Sequence, residues 1–263
     1  GAIRACCLQH IRESKGEENA NRYISYVFGS DPEEMKGAKQ EQIKVSAVAF
    51  ADARILLFPV KSMRGVFAWV TCPFVIRRFN NELAAFSANR FPSLPVPEPN
   101  SVSGERLIVG DHSVVLEEYT IPVTREQTTA ELGQALNSLL LPAGIDDLHQ
   151  RLVVLDDDTF VDFVLLSTEV TARISINPKT GTTSTGSLRY EEHVPPEAVF
   201  YSFLFAGNVR SSDTSQLGLS SAEDVLAFLC DDAHFPPVFQ LGGNSTLGHG
   251  ILRRIWLDEE GDR

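Results

Sequence analysis

The chain has 263 residues, of which 43% are hydrophobic, and this composition excludes a disordered chain. No apolar run approaches the length of about 20 residues that spans a bilayer, and no signal peptide is visible, so we expect a cytoplasmic protein without a membrane partner. The 23 Lys and Arg and 35 Asp and Glu give a formal charge of −12. This excludes a nucleic-acid binder that relies on overall positive charge, although local basic strips stay open.

In the first half of the chain, apolar periodicity predicts both helices and strands. Ile3, Cys7, Leu8 and Ile11 recur at helical spacing, and Pro73 suits the first turn of a helix. The predicted elements are helices over 2–14 and 22–28, strands within 43–60 and over 66–71, and a helix from Pro73 to about Asn89. The side chains of this last helix that we expect to face inward are Phe74, Ile76, Phe79, Leu83 and Phe86.

In the second half, turn residues separate short apolar segments. Residues 91–104 hold four prolines and predict an extended loop. The elements predicted after it are a hairpin over 106–109 and 113–123, a helix at about 125–141, a strand over 152–155, a helix over 159–167, strands over 168–176 and 187–192, a strand over 198–206, a helix over 222–230, and strands over 238–241 and 251–256. This order favours an α+β fold with an antiparallel sheet and a ferredoxin-like core carrying insertions.

Cysteines and histidines show no metal-site spacing. Cys6 and Cys7 are adjacent, Cys72 and Cys230 are isolated, and no CxxC motif occurs, which predicts reduced thiols. Asp156, followed by two more aspartates, favours a helix cap over a metal site.

The segment from Gly242 to Gly250 is rich in glycine but differs from a nucleotide phosphate loop. His249 stands where that motif has lysine, and a strand rather than a helix follows. Two interpretations stay open. The glycines allow backbone N–H groups to approach a phosphate closely, or they form a tight turn that closes the domain.

Two further groups of polar residues have open interpretations. Lys61, Ser62 and Arg64 suit an oxyanion such as an RNA phosphate, and a solvated turn is the alternative. Glu191 and Glu192 are successive residues of a strand, so they face opposite sides and do not form an acid–base pair. Solvated edge charges are the simpler interpretation of these glutamates.

Three blocks of sequence resemble a known family. They are residues 51–73, with Phe58-Pro59-Val60-Lys61-Ser62 and Val70-Thr71-Cys72-Pro73; residues 188–201, with Leu188-Arg189-Tyr190-Glu191-Glu192; and residues 240–250. Together they resemble the RAMP-superfamily backbone subunit of the type III-B CRISPR effector, the Cmr complex.

The resemblance implies a fold and a function. It implies an RRM-like core within a single domain over 1–263, a thumb hairpin over 173–192, and glycine-rich C-terminal loop and strands over 238–256. Copies of such a subunit form a filament on CRISPR RNA with other Cmr subunits, and they cut complementary target RNA at regular intervals in antiviral defence. Divalent Mg²⁺ or Mn²⁺ is expected for this cleavage, and no organic cofactor.

The resemblance also leaves a question about catalysis. The family has a Ser-x-Lys-Gly-x-x-Arg motif, in which Gly1 and Arg4 match the Gly and Arg. Its preceding strand and catalytic-Asp loop have no counterpart in this sequence, which implies an N-terminally incomplete domain. A guide-RNA scaffold without cleavage therefore stays an alternative, as does an endoribonuclease that processes precursor guide RNA through His10 or His193.

The matched motifs and the implied thumb hairpin give the site residues. Glu191 and Glu192 are auxiliary catalytic candidates. The candidates for RNA binding are Arg4, Lys61, Ser62, Arg64, Arg173, Lys179, Thr182, Arg189, Gly242, Gly243, Gly248, His249 and Gly250.

Overall fold

The computed structural model describes residues 1–31, 43–87, 90–210 and 217–257. In chain order its first elements are α1 (Ala2–Lys15), α2 (Glu17–Phe28), β1 (Val48–Phe50), β2 (Arg54–Lys61), β3 (Phe67–Thr71), α3 (Pro73–Ser87), β4 (Ser101–Val102), β5 (Ile108–Val109), β6 (Ser113–Leu116), β7 (Tyr119–Pro122), β8 (Thr124–Arg125) and α4 (Gln127–Leu140). The remaining elements are α5 (Leu148–Arg151), β9 (Leu152–Val154), α6 (Asp157–Leu166), β10 (Glu169–Arg173), β11 (Arg189–His193), β12 (Val199–Tyr201), β13 (Leu204–Ala206), α7 (Ala222–Cys230), β14 (Val238–Gln240) and β15 (Ile251–Arg253).

The chain forms two compact units. A central unit spans Ala53–Tyr201, and a terminal unit combines Gly1–Asp52 with Ser202–Arg263. The family resemblance implied a single domain over 1–263, and no change of composition marks either boundary between the two units. One of the two boundaries divides the predicted strand over 198–206 into β12, which lies in the central unit, and β13, which lies in the terminal unit.

The central unit is built on a six-stranded sheet in the order β12-β2-β3-β9-β4-β8. The pairs β12–β2, β2–β3 and β4–β9 are antiparallel, whereas β3–β9 and β4–β8 are parallel. The predicted α+β class is confirmed, with a sheet that is mixed rather than wholly antiparallel. Its strand β4 lies between β9 and the edge strand β8 and takes its residues from the end of the predicted 91–104 loop.

The middle of this sheet is buried on both faces. The fully or almost fully buried side chains include Leu57, Phe58, Val60, Trp69, Val70, Leu152, Val153 and Val154. Pro59 is compatible with this strand because β12 pairs with β2 only as far as Leu57, so the missing N–H group interrupts no ladder there. Two predicted core positions are wrong: Phe74 and Phe86 of α3 are 53% and 51% exposed.

The terminal unit has its own core. Helices α1, α2 and α7 contribute side chains to one buried cluster of Cys7, Ile11, Ala20, Ile24, Val27, Ala47, Leu219, Val225, Phe228, Leu229 and Phe235. The α1 periodicity is therefore confirmed. Near the chain end, the Arg254 guanidinium lies 4.8 Å from the Phe235 ring centroid and 5.1 Å from that of Trp256.

Helix ends follow the local sequence signals. The Asp156 carboxylate accepts a hydrogen bond from the Thr159 backbone N–H at 2.9 Å, which confirms the predicted cap of α6. This backbone hydrogen bond is the main reason that the pKa of Asp156 is below its ordinary value.

All four cysteines are free thiols. Within the four described ranges, no helix has both the length and the apolar character that crossing a membrane requires.

The N-terminus of α7 carries a complete capping box. Ser221 Oγ accepts from the Asp224 N–H at 3.1 Å, and the Asp224 carboxylate accepts from the Ser221 N–H at 2.8 Å. Hydrogen bonds from the backbone of Ser221 and Ser220 lower the pKa of Asp224 from 3.8 to about 2. Because the folded-state pKa lies below the unfolded one, this stabilisation is complete above the unfolded pKa and is lost as the pH falls toward 2.

We therefore expect Ser221→Ala to lower the free energy of unfolding by about 1 kcal/mol at neutral pH. Urea unfolding of the wild type and of Asp224→Asn at a series of pH values tests the titration. The stability difference between these two proteins should shrink as the pH falls through the range between 3.8 and about 2. A difference that stays constant down to the lower end of that range would contradict the role of the carboxylate.

Candidate nucleic-acid interface

The predicted thumb is an antiparallel hairpin, which we call the 169–193 hairpin after its strands β10 and β11. In its register Thr171 faces Glu191, and Arg173 faces Arg189. Side chains at alternate positions share a face, so Arg173, Arg189 and Glu191 lie on the same side. The turn beyond the strands is almost entirely exposed and places Lys179 and Thr182 at the far end of the hairpin.

Glu191 is the centre of an ion-pair cluster. Its carboxylate contacts Arg173 Nε through Oε2 and Arg189 Nε at 3.2 Å through Oε1, and His193 Nε2 lies 3.8 Å from Oε2. Partial desolvation raises the pKa of Glu191. The positive charges of Arg173 and Arg189 together lower this pKa by more than desolvation raises it, so it lies below the ordinary value of 4.5. The group is therefore a carboxylate at neutral pH and is better suited to orienting the two arginines than to donating a proton.

Glu192 lies on the other face of the hairpin. Its carboxylate accepts a hydrogen bond from Thr168 Oγ1 at 2.5 Å. This agrees with the expectation that the two glutamates do not act as a pair. Among the described residues, no three His, Cys, Asp or Glu side chains are grouped so that they could hold a metal ion. Mg²⁺ is commonly held by one or two carboxylates together with substrate phosphates, so the ion expected for cleavage stays a prediction, and we derive no step through a metal.

The turn between β2 and β3 presents the second predicted group. Lys61 is exposed, and the buried Ser62 hydroxyl has no hydrogen-bond partner within the described ranges. The Arg64 guanidinium donates to the Ile108 carbonyl at 2.6 Å, which anchors its side chain on the neighbouring sheet β5-β6-β7. The exposed Lys61 is thus more available to a phosphate than Arg64 is, whereas the Ser62 hydroxyl is covered.

The glycine-rich loop connects β14 to β15 and closes on itself. The Leu241 N–H donates to the Gly250 carbonyl at 2.8 Å, and the Gln240 side chain donates to the carbonyls of Gly242 and His249. A Cβ atom on Gly250 would lie 2.0 Å from the Leu241 carbonyl oxygen. This geometry explains the glycine at position 250 as a requirement of the turn.

The other glycines of this loop meet different conditions. No atom lies within 4 Å of a Cβ built on Gly242, Gly243 or Gly248, so the space beside them is open. Gly242 and Gly248 have φ angles of 98° and 79°, whereas Gly243 is not in this left-handed region. The open side leaves room for a ligand backbone, which keeps the predicted approach to RNA compatible with the structure.

Arg4 lies on α1 in the terminal unit and is already engaged. Its guanidinium donates to the Asp31 carboxylate at 2.5 Å and to the Gly29 carbonyl at 3.3 Å. These contacts fix the side chain near the end of α2. The hairpin and the β2–β3 turn thus belong to the central unit, and Arg4 and the glycine-rich loop belong to the terminal unit.

Sequence patterns did not identify two features of these groups. Val66 in the β2–β3 turn has a φ angle of 74°, which a β-branched residue rarely adopts. No residue pattern around it predicts this conformation. The Glu191 cluster depends on the register between β10 and β11. A full alignment of the two strands would have been needed to find it.

Comparison with known proteins identifies the class of protein that these elements form. The family model of the RAMP superfamily matches residues 1–253. A curated relative, the Cmr endoribonuclease Cmr4 of the CRISPR system of Pyrococcus furiosus, is 32% identical over 248 residues, covering 92% of this chain and 76% of the relative. The chain therefore belongs to the Cmr4 family of the RAMP superfamily.

Solved structures agree with this assignment. The crystal structure of oligomeric Cmr4 from Pyrococcus furiosus is 26% identical, with a TM-score of 0.63 over 96% of this chain and 82% of that one. A chain in the cryo-EM structure of the type III-B Cmr-β complex bound to cognate target RNA has a TM-score of 0.67 at 19% identity, covering 96% of this chain and 81% of that one. At that identity the second match shows the shared fold alone.

Proposed function

We propose that this protein is a backbone subunit of a type III-B CRISPR effector, which binds CRISPR RNA and cleaves complementary target RNA at regular intervals. The observation that supports this most is the match to Cmr4 over 92% of the chain. Its expected partners are CRISPR RNA, target RNA, further copies of the chain in a filament, and other Cmr subunits. Precursor processing by His10 or His193 is the alternative: His10 Nε2 lies 2.9 Å from the Asp232 carbonyl oxygen, and His193 Nε2 lies 3.8 Å from the Glu191 carboxylate.

The charge distribution supports RNA binding despite the net charge of −12. In a guide-based system, base pairing selects the sequence and the protein holds the guide by its backbone. Lys61, Arg173 and Arg189 provide cations at the β2–β3 turn and on the hairpin, and such local groups are sufficient for phosphate contacts. We propose that the candidates in the glycine-rich loop and the exposed Lys179 and Thr182 add contacts from their own positions.

Cleavage is tested with a guide-loaded complex that contains this chain as its only backbone subunit. Complementary RNA is added with Mg²⁺ or Mn²⁺, and the products are separated on a sequencing gel beside a sample with chelator and one with non-complementary RNA. A regular ladder that disappears with chelator is the expected result. Tight target binding without cuts would instead identify a scaffold, and the absence of target binding would overturn the proposed function.

The glutamates provide the next comparison in the same assay. Glu191→Gln and Glu192→Gln change one carboxylate each, on opposite faces of the hairpin. If either residue contributes auxiliary catalysis, only the variant on the side of the scissile phosphate should lose the ladder. Cleavage that survives in both variants would exclude both glutamates from catalysis.

A further inference from the structure

Val66 has an unusual backbone conformation in the β2–β3 turn. Its φ angle is 74°, and the Phe67 N–H donates to the Gly65 carbonyl at 2.9 Å, which closes a three-residue γ-turn around Val66. Turns of this kind with positive φ are rare and strained. The strain is greater for a β-branched residue, because its side chain crowds the backbone in this region.

Burial does not account for valine at this position. The residue is 80% exposed, and Met63 on the same turn is 73% exposed. A glycine would adopt the same φ angle without a penalty, as Gly65 does beside it at 75°. Residues in strained conformations persist where the surrounding structure imposes them and are frequent at binding sites. An exposed, strained valine therefore indicates a side chain that is used on the surface.

The turn is held firmly enough to impose this conformation. The Ser62 N–H donates to the Val66 carbonyl at 3.0 Å, and the Met63 N–H donates to the Val115 carbonyl at 3.0 Å. The Lys61 carbonyl in turn accepts from the Glu117 N–H at 2.9 Å. The two apolar side chains are thus presented on a rigid support next to the Lys61 cation.

We propose that Met63 and Val66 form an apolar tip that packs against the ribose and base of a guide-RNA nucleotide whose phosphate Lys61 binds. This rests on the proposed function as a guide-binding subunit. A nucleotide has a charged phosphate beside the less polar faces of its sugar and base, and the turn matches that pattern with the exposed Lys61 cation beside two exposed apolar side chains. A second basic side chain at this place would strengthen RNA binding only through its charge. The apolar tip instead contributes binding energy that does not depend on salt concentration.

The test compares Val66→Gly with Lys61→Ala in the full chain. Binding of a fluorescent single-stranded polyuridine RNA is measured over a range of salt concentrations, and thermal unfolding is recorded for each variant. Val66→Gly should raise the Tm by about 2–4 °C because it removes the strain. It should weaken RNA binding by about fivefold, through lost apolar contact, at an unchanged salt dependence. Lys61→Ala should lower the slope of log affinity against log salt by about 0.7.

Val161→Ala is the control, because Val161 on α6 is also a valine with an exposed side chain, at 51% against 80% for Val66. It should leave RNA binding unchanged. If Val66→Gly raises the Tm but binds RNA like the wild type while Lys61→Ala binds less, the apolar tip is wrong and the proposed function stands. A lower Tm for Val66→Gly would overturn the argument from strain. A wild-type chain that binds no RNA at any salt concentration would overturn the proposed function itself.

Discussion

Replacement of Gly250 by alanine is expected to lower the free energy of unfolding by about 2–3 kcal/mol. The added Cβ would lie 2.0 Å from the carbonyl oxygen of Leu241, which is a backbone atom and has no flexible end that could move aside. Gly250 also has a φ angle of 72°, where any residue with a Cβ is strained. Relief requires the hydrogen bond from the Leu241 N–H to the Gly250 carbonyl to open, and with it the end of the β14–β15 hairpin.

Gly243→Ala is the matched control within the same loop. A Cβ on Gly243 has no atom within 4 Å, and this glycine is not in the left-handed region. Its replacement should change the free energy of unfolding by less than about 0.5 kcal/mol. Both proteins are compared with the wild type by urea unfolding at equal protein concentration. Equal stability of the two variants would mean that the loop relaxes around the new methyl group at no cost.

Elements set by local signals were predictable from the sequence. The α7 cap needs only Ser221 and Asp224 three residues apart, and the α1 core face needs only the spacing of Cys7 and Ile11. Both follow from the geometry of a single helix. The opposite directions of Glu191 and Glu192 are equally local, since they follow from the two-residue period of a strand.

Features that depend on distant partners were not predictable in the same way. Strand β4 is only two residues long and exists because β9 and β8 pair with it from both sides. The helical spacing of Phe74 and Phe86 predicted that both side chains lie on the buried face of α3, but both are exposed. The division into two units has no compositional signal, because it separates residues that are neighbours in sequence at Tyr201 and Ser202.

The candidate site shows the same contrast. Motif blocks identified the β2–β3 turn and the hairpin from consecutive residues, and the comparisons support the family on which those blocks depend. The ion pair between Arg173 and Glu191 on the hairpin could not be predicted from the sequence. It depends on the strand register that places Thr171 opposite Glu191. That pairing adds a second interpretation of Glu191, as a residue that positions two arginines, beside the untested prediction of auxiliary catalysis.

The Arg173–Glu191 pair leads to two predictions of opposite sign for RNA binding. Arg173→Ala removes a cation from the hairpin face and is expected to weaken guide-RNA binding by about tenfold, which is the cost of one charged contact. Glu191→Gln removes the negative charge that Arg173 and Arg189 now share, so it is expected to strengthen binding by about twofold to threefold. Each substitution breaks the same ion pair, so any effect of lost hairpin structure would have the same sign in both.

The measurement is a salt-dependent titration of each variant with guide RNA, accompanied by thermal unfolding. Arg173→Lys serves as the control that keeps the charge but loses the planar guanidinium, and it should fall between Arg173→Ala and the wild type. The difference in guide-RNA affinity between Arg173→Ala and Glu191→Gln should become smaller as the salt concentration rises. Both effects are electrostatic and act at an exposed hairpin, where salt screens them. Weaker binding by both variants at equal Tm loss would instead mean that the ion pair supports the hairpin and that neither arginine contacts RNA.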